Sequence, residues 1–350
     1  MIDKVREEMR AYQIEGLWVT NPASLNFLFG FQIDVGERFL GAYINQESIQ
    51  FVANKLFHVP QENVHYYFDH ENVYELIAKL TTGQRVGLDK LMEAHVVLEL
   101  IKACPETEFV NGSDCVDKLR AIKTPEQIEK MIKASRVNDE VMKLISKEIR
   151  VGMSEIQIRD RIEELFDEFG TQPSFTTIVA FGDNGTDPHA IPSHRQLKEG
   201  ESIIIDMGCV VDGYCSDMTR TFFINDNPIK EIYDLVLKAN EAAIEAIKPG
   251  VSFSEIDGVA RQIITEGGYG DYFIHRLGHG IGQQVHEPYD VSASNHQLIE
   301  PGMCFSIEPG IYKPGVDAVR IEDLVFVDET GHAVLLNHVV KNEPVILYRD

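Results

Sequence analysis

The 350-residue sequence predicts an α+β fold in two domains, a smaller α/β domain over residues 1–121 and a larger α+β domain over residues 122–350. The length exceeds that of a usual single domain and allows one large core and one smaller core. The first third of the chain alternates helical and strand patterns. Near Ile122 the pattern changes to a long amphipathic helix, which helices interleaved with strand pairs follow.

The elements of the first domain follow from hydrophobic periodicity and from the composition of the short apolar runs. Apolar residues recur with a helical period from about Asp3, and runs rich in β-forming residues indicate strands. In chain order the sequence predicts a helix from Asp3, a strand GLWVT, a helix PASLNFLF, strands GAYIN and IQFVA, a helix NVYELIAKL, a strand RVGLD and a helix from Met92. This alternation is typical of an α/β domain.

The second domain begins with a strong helix start signal. Thr124 is a candidate N-cap, and Pro125 and Glu126 stand in the first turn, where both residue types are favoured. The apolar period then continues for about 25 residues. Three more helical segments follow, EIQIRDRIEELFDEFG, IKEIYDLVLKANEAAIEAI and SEIDGVARQIITEGG. Strand-like runs lie between them, which predicts an α+β domain.

Composition excludes several classes of protein. The 56 acidic residues against 32 basic ones give a net charge of −24, which argues against a nucleic-acid partner because such binding depends on clustered Lys and Arg. Five cysteines without a CxxC pair fit a reducing compartment. The charged N-terminus lacks an apolar signal core, and no run of about 18 apolar residues follows. We therefore expect a cytoplasmic protein without membrane contact.

One apolar segment contains two carboxylates. Residues 203–221, IIIDMGCVVDGYCSDMTRT, begin like a buried strand yet include Asp206 and Asp217. Burying an unpaired carboxylate costs on the order of several kcal/mol, so a cationic partner is needed. A salt bridge to Arg220 is the ordinary alternative, and a bound cation is the other.

Hairpin geometry brings these two carboxylates together. Asp212 and Gly213 suit the positive φ angles of a type I′ turn between two strands. With these residues as the turn, Asp206 lies opposite Thr219, and Asp217 is its diagonal neighbour on the same face. Diagonal positions lie roughly 7–8 Å apart, a spacing that suits two side chains around shared cations.

A second acidic pair has the same arrangement. Glu308 and Glu322 lie symmetrically about Gly315, so a hairpin centred there makes them direct cross-strand neighbours. Two repulsive pairs in apolar strands are costly, whereas one cation site shared by all four carboxylates neutralises both pairs. The sequence therefore predicts a single acidic site.

A histidine-rich segment supplies further ligand candidates. HRLGHGIGQQVHEP holds three histidines and three glycines whose backbone can approach a cofactor closely: His275, His279, His286, Gly278, Gly280 and Gly282. Spacing alone does not decide which histidine joins the carboxylates. Four carboxylates and one imidazole suit manganese, cobalt, iron or zinc in a dinuclear site better than a structural zinc cage or calcium. Two such ions activate a water and polarise a carbonyl, which indicates a hydrolase.

At this point the motifs resemble a known family. IDMG, SDMTRT, HRLGHGIG, HEP, SIEPGIY and RIEDLV, in this order over about residues 123–345, are similar to the pita-bread metallopeptidases, which include prolidase, aminopeptidase P, methionine aminopeptidase and creatinase. The resemblance implies a pita-bread catalytic domain. It also implies five ligands for two metal ions, with the second and fifth bridging: Asp206, Asp217, His279, Glu308 and Glu322.

The resemblance also implies roles around the metal ligands. Glu308 is expected to move the proton between the attacking water and the leaving amine. His189, His286 and His275 resemble the histidines of the family that bind substrate and stabilise the oxyanion. Arg320 resembles an arginine that orients a ligand or binds substrate.

The N-terminal part indicates the subtype. GLWVTNPASLNFLFGF resembles the creatinase-like domain that precedes the catalytic domain of prolidases, which methionine aminopeptidase lacks. A dipeptidase needs a cation for the free carboxylate of its substrate. Asp290 stands where many prolidases have an arginine, so Arg276 and Arg38 are the replacement candidates. Arg38 lies in QIDVGERF, which resembles a prolidase loop that reaches the active site of the partner subunit.

The resulting prediction is a homodimeric Xaa-Pro dipeptidase with two divalent ions, manganese first and cobalt, zinc or iron as alternatives. Its substrate is a proline-containing dipeptide or oligopeptide. The alternative is an Xaa-Pro aminopeptidase that acts on longer peptides. A creatinase-like hydrolase and a metal-free peptide-binding protein are weaker alternatives, because all five ligand positions are intact.

Overall fold

The structure is a computed structural model that describes residues 1–346, and the chain divides into two compact units. The first unit spans Met1–Arg120 and the second spans Ala121–Asp350. Each unit mixes helices and sheets, which confirms the predicted α+β class. No helix within residues 1–346 is long and apolar enough to cross a membrane.

The N-terminal unit is built on one six-stranded sheet. Its strands are β1 (Gly16–Val19), β2 (Leu40–Asn45), β3 (Ile49–Asn54), β4 (Val64–Tyr67), β5 (Arg85–Leu88) and β6 (Glu108–Asn111). They lie in the order β4-β3-β2-β1-β5-β6, with β1 antiparallel to β2 and parallel to β5. The helices are α1 (Ile2–Ala11), α2 (Pro22–Phe29), α3 (Val73–Leu80), α4 (Ala94–Ala103) and α5 (Asp114–Ala121).

Both faces of this sheet are covered, because successive side chains of a strand point to opposite faces. On one face Leu17 of β1 packs in a cluster with Val5 and Met9 of α1. On the other face Trp18 packs in a cluster with Ile77 of α3 and residues of α4. The unit therefore has the α/β layering that its sequence predicts.

Within residues 121–346 the C-terminal unit contains four long helices, three of which begin with a capping box. They are α6 (Pro125–Glu148), α7 (Glu155–Glu168), α8 (Lys230–Glu245) and α9 (Phe253–Glu266). Thr124 caps α6 as predicted, and Ser154 and Ser252 cap α7 and α9. In each of these three capping boxes, the N-cap hydroxyl accepts from the third helical residue, whose side chain accepts from the N-cap N–H.

The strands among residues 121–346 of this unit form two larger sheets and two short ribbons. They are β7 (Ile178–Phe181), β8 (Ile203–Met207), β9 (Val210–Val211), β10 (Tyr214–Cys215), β11 (Met218–Ile224), β12 (Gly278–Gly280), β13 (Glu287–Val291), β14 (Cys304–Ile307), β15 (Gly310–Lys313), β16 (Asp317–Arg320), β17 (Asp323–Val327), β18 (Ala333–Leu335) and β19 (Val345–Ile346). The sheets have the orders β19-β11-β8-β7 and β13-β12-β14-β17-β18. The ribbons are β9-β10 and β15-β16.

Two apolar cores support these sheets. Helices α6 and α7 pack on the first sheet through a cluster that includes Ile145, Ile162, Phe166, Ile203 and Ile205. Helices α8 and α9 pack on the second sheet through a cluster that includes Val236, Ile256, Phe305, Ile307 and Val325. Each buried side chain of this size contributes about 1.5–3 kcal/mol, so the sheets are rigid supports for the polar residues at their edges.

The first hairpin has the predicted register. Asp212 and Gly213 form its two-residue turn with φ angles of 51° and 78°. Thr219 of β11 lies opposite Asp206 of β8 in the adjoining ladder. The turn residues therefore determine the face of the sheet on which the first acidic pair lies.

The second hairpin is also centred on Gly315. Gly310 pairs with Arg320 in β15–β16, and Ile307 pairs with Asp323 in β14–β17. Both ladders keep the same register, and Glu308 and Glu322 lie in the short gap between them. Both glutamates therefore stand where the strands leave one sheet and enter the ribbon.

Candidate metal centre and active site

The predicted carboxylates and His279 converge on one buried position. Asp217, His279 and Glu322 each offer a ligand atom, and these atoms lie within 4.8 Å of one another. The Nε2 atom of His279 lies 3.7 Å from Oδ2 of Asp217 and 3.4 Å from Oε1 of Glu308. Asp206 joins them from β8 and is a charged neighbour of Asp217, Glu308 and Glu322. The structure therefore gathers four carboxylates around one imidazole.

Three oxygens of this cluster have no hydrogen-bond partner within residues 1–346. They are Oδ1 of Asp206, Oδ1 of Asp217 and Oε1 of Glu322, and all three are buried. A buried carboxylate oxygen without a partner is costly, so these atoms fit a site that binds cations. Four negative ligands also balance the charge of two divalent ions. The residues therefore fit a dinuclear site with oxygen-rich coordination.

The electrostatics of the cluster reflect its burial. Burial and the neighbouring carboxylates raise the pKa of Asp217 well above its usual value. Burial and repulsion from Glu308 and Asp206 also raise the pKa of Glu322 well above its usual value. Burial also raises the pKa of Glu308 to about 7, although Arg320 opposes the shift. Like charges in a dry site resist ionisation together, and a bound cation removes this resistance.

Three other oxygens of the cluster are held by hydrogen bonds from the protein. Arg320 donates from Nη2 to Oδ2 of Asp206 at 2.8 Å and from Nε to the Thr219 hydroxyl at 3.1 Å. Thr219 in turn donates to Oε2 of Glu322 at 2.8 Å. Ser306 donates to Oε1 of Glu308 at 3.1 Å. Asp206, Glu308 and Glu322 are thus each oriented through one oxygen, and the opposed oxygens of Asp206 and Glu322 remain free to coordinate an ion.

Arg220, the partner expected for an ordinary salt bridge, does not pair with Asp206 or Asp217, and Asp206 forms its ion pair with Arg320 instead. The guanidinium of Arg220 is buried and donates to Oδ1 of Asp323 at 2.7 Å. It also donates to the carbonyl of Glu322 at 2.6 Å. Arg220 therefore supports the backbone behind the site and does not neutralise Asp206 or Asp217.

The glycines beside His279 serve strand packing. A Cβ atom at Gly278 would lie 1.9 Å from the carbonyl oxygen of Ser306, and one at Gly280 would lie 2.3 Å from that of Pro288. Strand β12 runs between β13 and β14, so its backbone must approach both neighbours closely. The expectation that these glycines make room for a cofactor is wrong, because neighbouring strands occupy that space.

Comparison with known proteins identifies the family. Residues 129–329 match Metallopeptidase family M24, and residues 1–122 match the Creatinase/Prolidase N-terminal domain. The first match spans more than half of the chain and includes all five clustered side chains. The chain belongs to metallopeptidase family M24. The pita-bread catalytic domain and the creatinase-like N-terminal domain that the sequence predicts are thereby confirmed.

Three relatives cover nearly the whole length of this M24 metallopeptidase. An uncharacterized peptidase of Staphylococcus saprophyticus is 37% identical, over 96% of this chain and 99% of its own. The structure of a Mycobacterium ulcerans dipeptidase has a TM-score of 0.92 and 30% identity, over 99% of this chain and 97% of its own. That of an Xaa-Pro dipeptidase from Bacillus anthracis has a TM-score of 0.86 and 30% identity, over 99% of both chains.

Three more histidines lie near the carboxylate cluster of this M24 metallopeptidase. The imidazole of His286 has its centroid 4.3 Å from that of His279. The Nε2 atom of His275 lies 2.9 Å from the Tyr312 hydroxyl, and its Nδ1 lies 2.6 Å from the carbonyl oxygen of Arg276. Burial lowers the pKa of His275 to about 4. Both ring nitrogens of His275 are engaged by protein groups, so its substrate contact remains a prediction.

His189 approaches the same site from an exposed loop. Its side chain is exposed, and its positive form lowers the pKa values of His275 and His286. The carbonyl of the preceding Pro188 accepts from Nη1 of Arg320 at 3.3 Å. The structure therefore brings His189 close to the other histidines.

The two candidate arginines for a substrate carboxylate have different surroundings. Arg276 pairs with Asp290, the residue that replaces the arginine of many prolidases, and remains about one-third exposed. Its charge lowers the pKa values of His279 and His286, which places it near the site. Arg38 lies in the N-terminal unit and donates to Asp69 at 2.9 and 3.0 Å. Substrate contact by either arginine remains a prediction.

Sequence reasoning missed Thr219 as a contributor to the site and gave no role to Tyr312. Thr219 bridges Arg320 and Glu322, and Tyr312 links Arg320 to His275, with Nη1 of Arg320 donating to its hydroxyl at 3.0 Å. Thr219 was predicted to lie opposite Asp206, and that position is the signal that could have identified it. Tyr312 ends the motif SIEPGIY, but its ring also packs as a core residue would, so the sequence did not separate the two roles.

Proposed function

We propose that this metallopeptidase hydrolyses the X-Pro bond of Xaa-Pro dipeptides with two divalent metal ions. One observation carries the proposal, the convergence of four buried carboxylates and one imidazole with three unpartnered oxygens. Asp206, Asp217, His279, Glu308 and Glu322 would hold the ions, with Asp217 and Glu322 between them. When bound, the ions supply an activated water and polarise the scissile carbonyl.

Glu308 is the residue best suited to move the proton. The nitrogen of a peptide-bonded proline carries no hydrogen, so the leaving amine must receive a proton before it departs. The Glu308 carboxyl lies in the cluster beside His279, and a carboxyl group at the reacting centre can accept a proton from the attacking water and release it to the leaving nitrogen. The bond from Ser306 holds one oxygen of Glu308, which leaves the other for the reacting groups.

His189 and His286 are suited to the developing oxyanion. Both lie next to the cluster, and an N–H donor that faces the carbonyl oxygen stabilises its negative charge in the transition state. His286 lies against the ring of His279, whereas His189 is exposed on its loop and accessible to a peptide. We therefore assign substrate binding and oxyanion stabilisation to this pair.

The dipeptide preference rests on the partly exposed guanidinium of Arg276. One amino group of Arg276 donates to Asp290, and the remaining N–H groups can donate to a substrate carboxylate in a bidentate pair. Similarity to the Bacillus anthracis Xaa-Pro dipeptidase supports the same preference. The second candidate, an Xaa-Pro aminopeptidase, is favoured by the same Asp290, because a carboxylate beside Arg276 weakens its attraction for a free C-terminus.

Peptides of different length separate these two functions. The manganese-loaded protein is assayed with Ala-Pro, Leu-Pro and a set of X-Pro-X tripeptides, with Ala-Gly as the control that lacks proline. A dipeptidase cleaves the two Xaa-Pro dipeptides and leaves the tripeptides and Ala-Gly intact. Cleavage of the tripeptides without the dipeptides would assign the aminopeptidase function.

Elemental analysis identifies the bound metal and tests the alternative of a metal-free binding protein. Oxygen-rich ligands suit manganese first, with cobalt, zinc and iron as alternatives. Protein purified without a chelator is expected to contain about two ions per chain. A chain that cannot be loaded with any of these metals would support a metal-free binding protein.

We also propose a cytoplasmic homodimer. All five cysteines are free thiols, and four of them are buried, which suits a reducing compartment. Light scattering coupled to size exclusion measures the assembly, with twice the chain mass expected.

A further inference from the structure

The carboxylate of Glu155 is fully buried and lies at the first residue of α7, outside the metal cluster. Its Oε1 accepts from the backbone N–H of Phe181 at 2.9 Å and from Nδ2 of Asn184 at 2.8 Å. Its Oε2 accepts from the same Nδ2 at 3.0 Å and from the backbone N–H and hydroxyl of Ser193 at 2.9 and 2.6 Å. Every lone-pair direction of this carboxylate is therefore in use.

These donors belong to the start, the interior and the end of one segment. Phe181 ends β7, Asn184 lies in the 3-10 turn that follows, and Ser193 closes the loop. His189 lies between the last two donors. One side chain therefore holds both ends of the loop that carries this histidine.

The same loop is attached to the metal-bearing elements at two further points. The backbone N–H of Gly315, at the tip of the second hairpin, donates to Asp183 at 2.7 Å. Arg320 donates to the carbonyl of Pro188. The His189 imidazole itself is exposed, so its position depends on how well the backbone on either side is held.

We propose that Glu155 is a positioning residue that holds the His189 loop in register with the carboxylate cluster. The inference rests on the proposed function of His189 and extends it to a residue that contacts neither metal nor substrate. Catalytic groups displaced by about 1 Å lose rate steeply, so a loosened loop lowers turnover without removing any ligand.

The chemistry of the position requires a carboxylate. In Glu155→Gln the amide offers one acceptor oxygen and one NH₂ group. Whichever way the amide is turned, its NH₂ group faces a backbone N–H, that of Phe181 or that of Ser193. One end of the loop therefore loses its anchor, while the volume of the side chain is unchanged.

The test compares Glu155→Gln, His189→Ala and the double variant in the full-length protein. Glu255→Gln is the matched control, because Glu255 caps α9 by accepting from Ser252 N at 2.8 Å and has no contact to the His189 loop among the described residues. The readouts are kcat and KM on Ala-Pro, metal content, and hydrogen exchange of residues 181–193. Ser193→Ala, which removes a single donor, serves if Glu155→Gln fails to fold.

Glu155→Gln is expected to lower kcat about 10- to 100-fold with metal content unchanged, and to increase exchange of residues 181–193. The double variant is expected to match His189→Ala, and Ser193→Ala is expected to show smaller changes in the same direction. The Glu255→Gln control is expected to stay within about twofold of the wild type.

Unchanged exchange of residues 181–193 in Glu155→Gln would overturn the proposal. So would effects of Glu155→Gln and His189→Ala that multiply, or a His189→Ala variant with full activity. If the wild type cleaves no Xaa-Pro peptide, the proposed substrate fails, and the exchange comparison still decides whether Glu155 anchors the loop.

Discussion

Asp217 carries a buried carboxylate whose charged neighbours include three other carboxylates, Glu322, Asp206 and Glu308. Replacing it with asparagine should therefore have opposite effects on stability with and without metal. In chelator-treated protein, Asp217→Asn is expected to raise the free energy of unfolding, because the amide removes a charge that burial and the neighbouring carboxylates both oppose. With manganese added, the variant is expected to be the less stable protein.

Urea unfolding at pH 8, with and without chelator, measures both effects. Asp234→Asn is the matched control, since Asp234 is exposed and pairs with Lys230 on the surface of α8. Its change is expected to stay below about 0.5 kcal/mol under both conditions. A loss of stability in chelator-treated Asp217→Asn would contradict the repulsion that we infer.

Asp139 makes stability depend on pH. It is buried on α6, where burial raises its pKa to about 6, and it accepts from the backbone N–H of His338 at 2.9 Å. Its folded pKa exceeds the unfolded value of about 3.9, so the folded state retains the proton longer. The contribution of Asp139 to the free energy of unfolding is therefore fully present below about pH 4 and is lost as the pH rises through about 6.

Asp139→Asn should remove this pH dependence, because the amide oxygen still accepts from His338 and cannot ionise. The free energy of unfolding of the variant, relative to wild type, is expected to increase by about 2 kcal/mol between pH 4 and pH 7. Urea titrations of both proteins in chelator at five pH values measure the difference. A difference that is constant over this range would show that Asp139 does not titrate there.

At the scale of elements, the local turn chemistry made the hairpins predictable. Asp212-Gly213 and Gly315 determined two registers, and these registers placed all four carboxylates. Strands β4 and β6 were not predicted, because their residues are largely half-exposed and lack a clear apolar pattern. Spacing could not select His279 among its neighbours, because its approach to Asp217 and Glu308 depends on how β12 is placed in the sheet.

One buried ion pair joins Lys123 to Glu287, the first residue of β13. Lys123 Nζ lies 3.1 Å from Oε2 of Glu287, and both side chains are almost fully buried. Removing one partner leaves an uncompensated buried charge, so Lys123→Met is expected to cost about 3–5 kcal/mol. Lys123→Met combined with Glu287→Gln is expected to cost less than the sum of the single changes.

A double-mutant cycle by urea unfolding measures this coupling. The control cycle uses Lys143 and Glu140, an exposed pair at 2.8 Å on α6, where a coupling below about 0.5 kcal/mol is expected. Additive effects at Lys123 and Glu287 would show that the two charges do not depend on each other.

At the scale of the whole molecule, metal binding is expected to raise the melting temperature. An ion that binds only the folded state stabilises it by about 2.7 kcal/mol at one hundred times its dissociation constant. Manganese is therefore expected to raise the melting temperature of the wild type by several degrees. Asp206→Asn removes one ligand, and it is expected to lose most of this increase and at least about 100-fold in activity.

Differential scanning calorimetry with manganese and with chelator measures the shift. Thr330→Ala, an exposed turn substitution, serves as the control that keeps the manganese response. Equal shifts in the wild type and Asp206→Asn would exclude Asp206 as a ligand. The sequence could not determine whether the protein prefers dipeptides or longer peptides. Arg276 and Asp290 are fourteen residues apart, and only the fold pairs them.

The hydrogen bond between Gly315 and Asp183 allows metal uptake and turnover to be changed separately. Lengthening the hairpin tip between Lys313 and Asp317 would leave both ladders, and hence the four carboxylates, where they are. It would detach the tip from the loop that carries His189. Such an insertion should yield a protein that still takes up manganese but turns over poorly, so natural length changes at this tip would tune turnover independently of metal affinity.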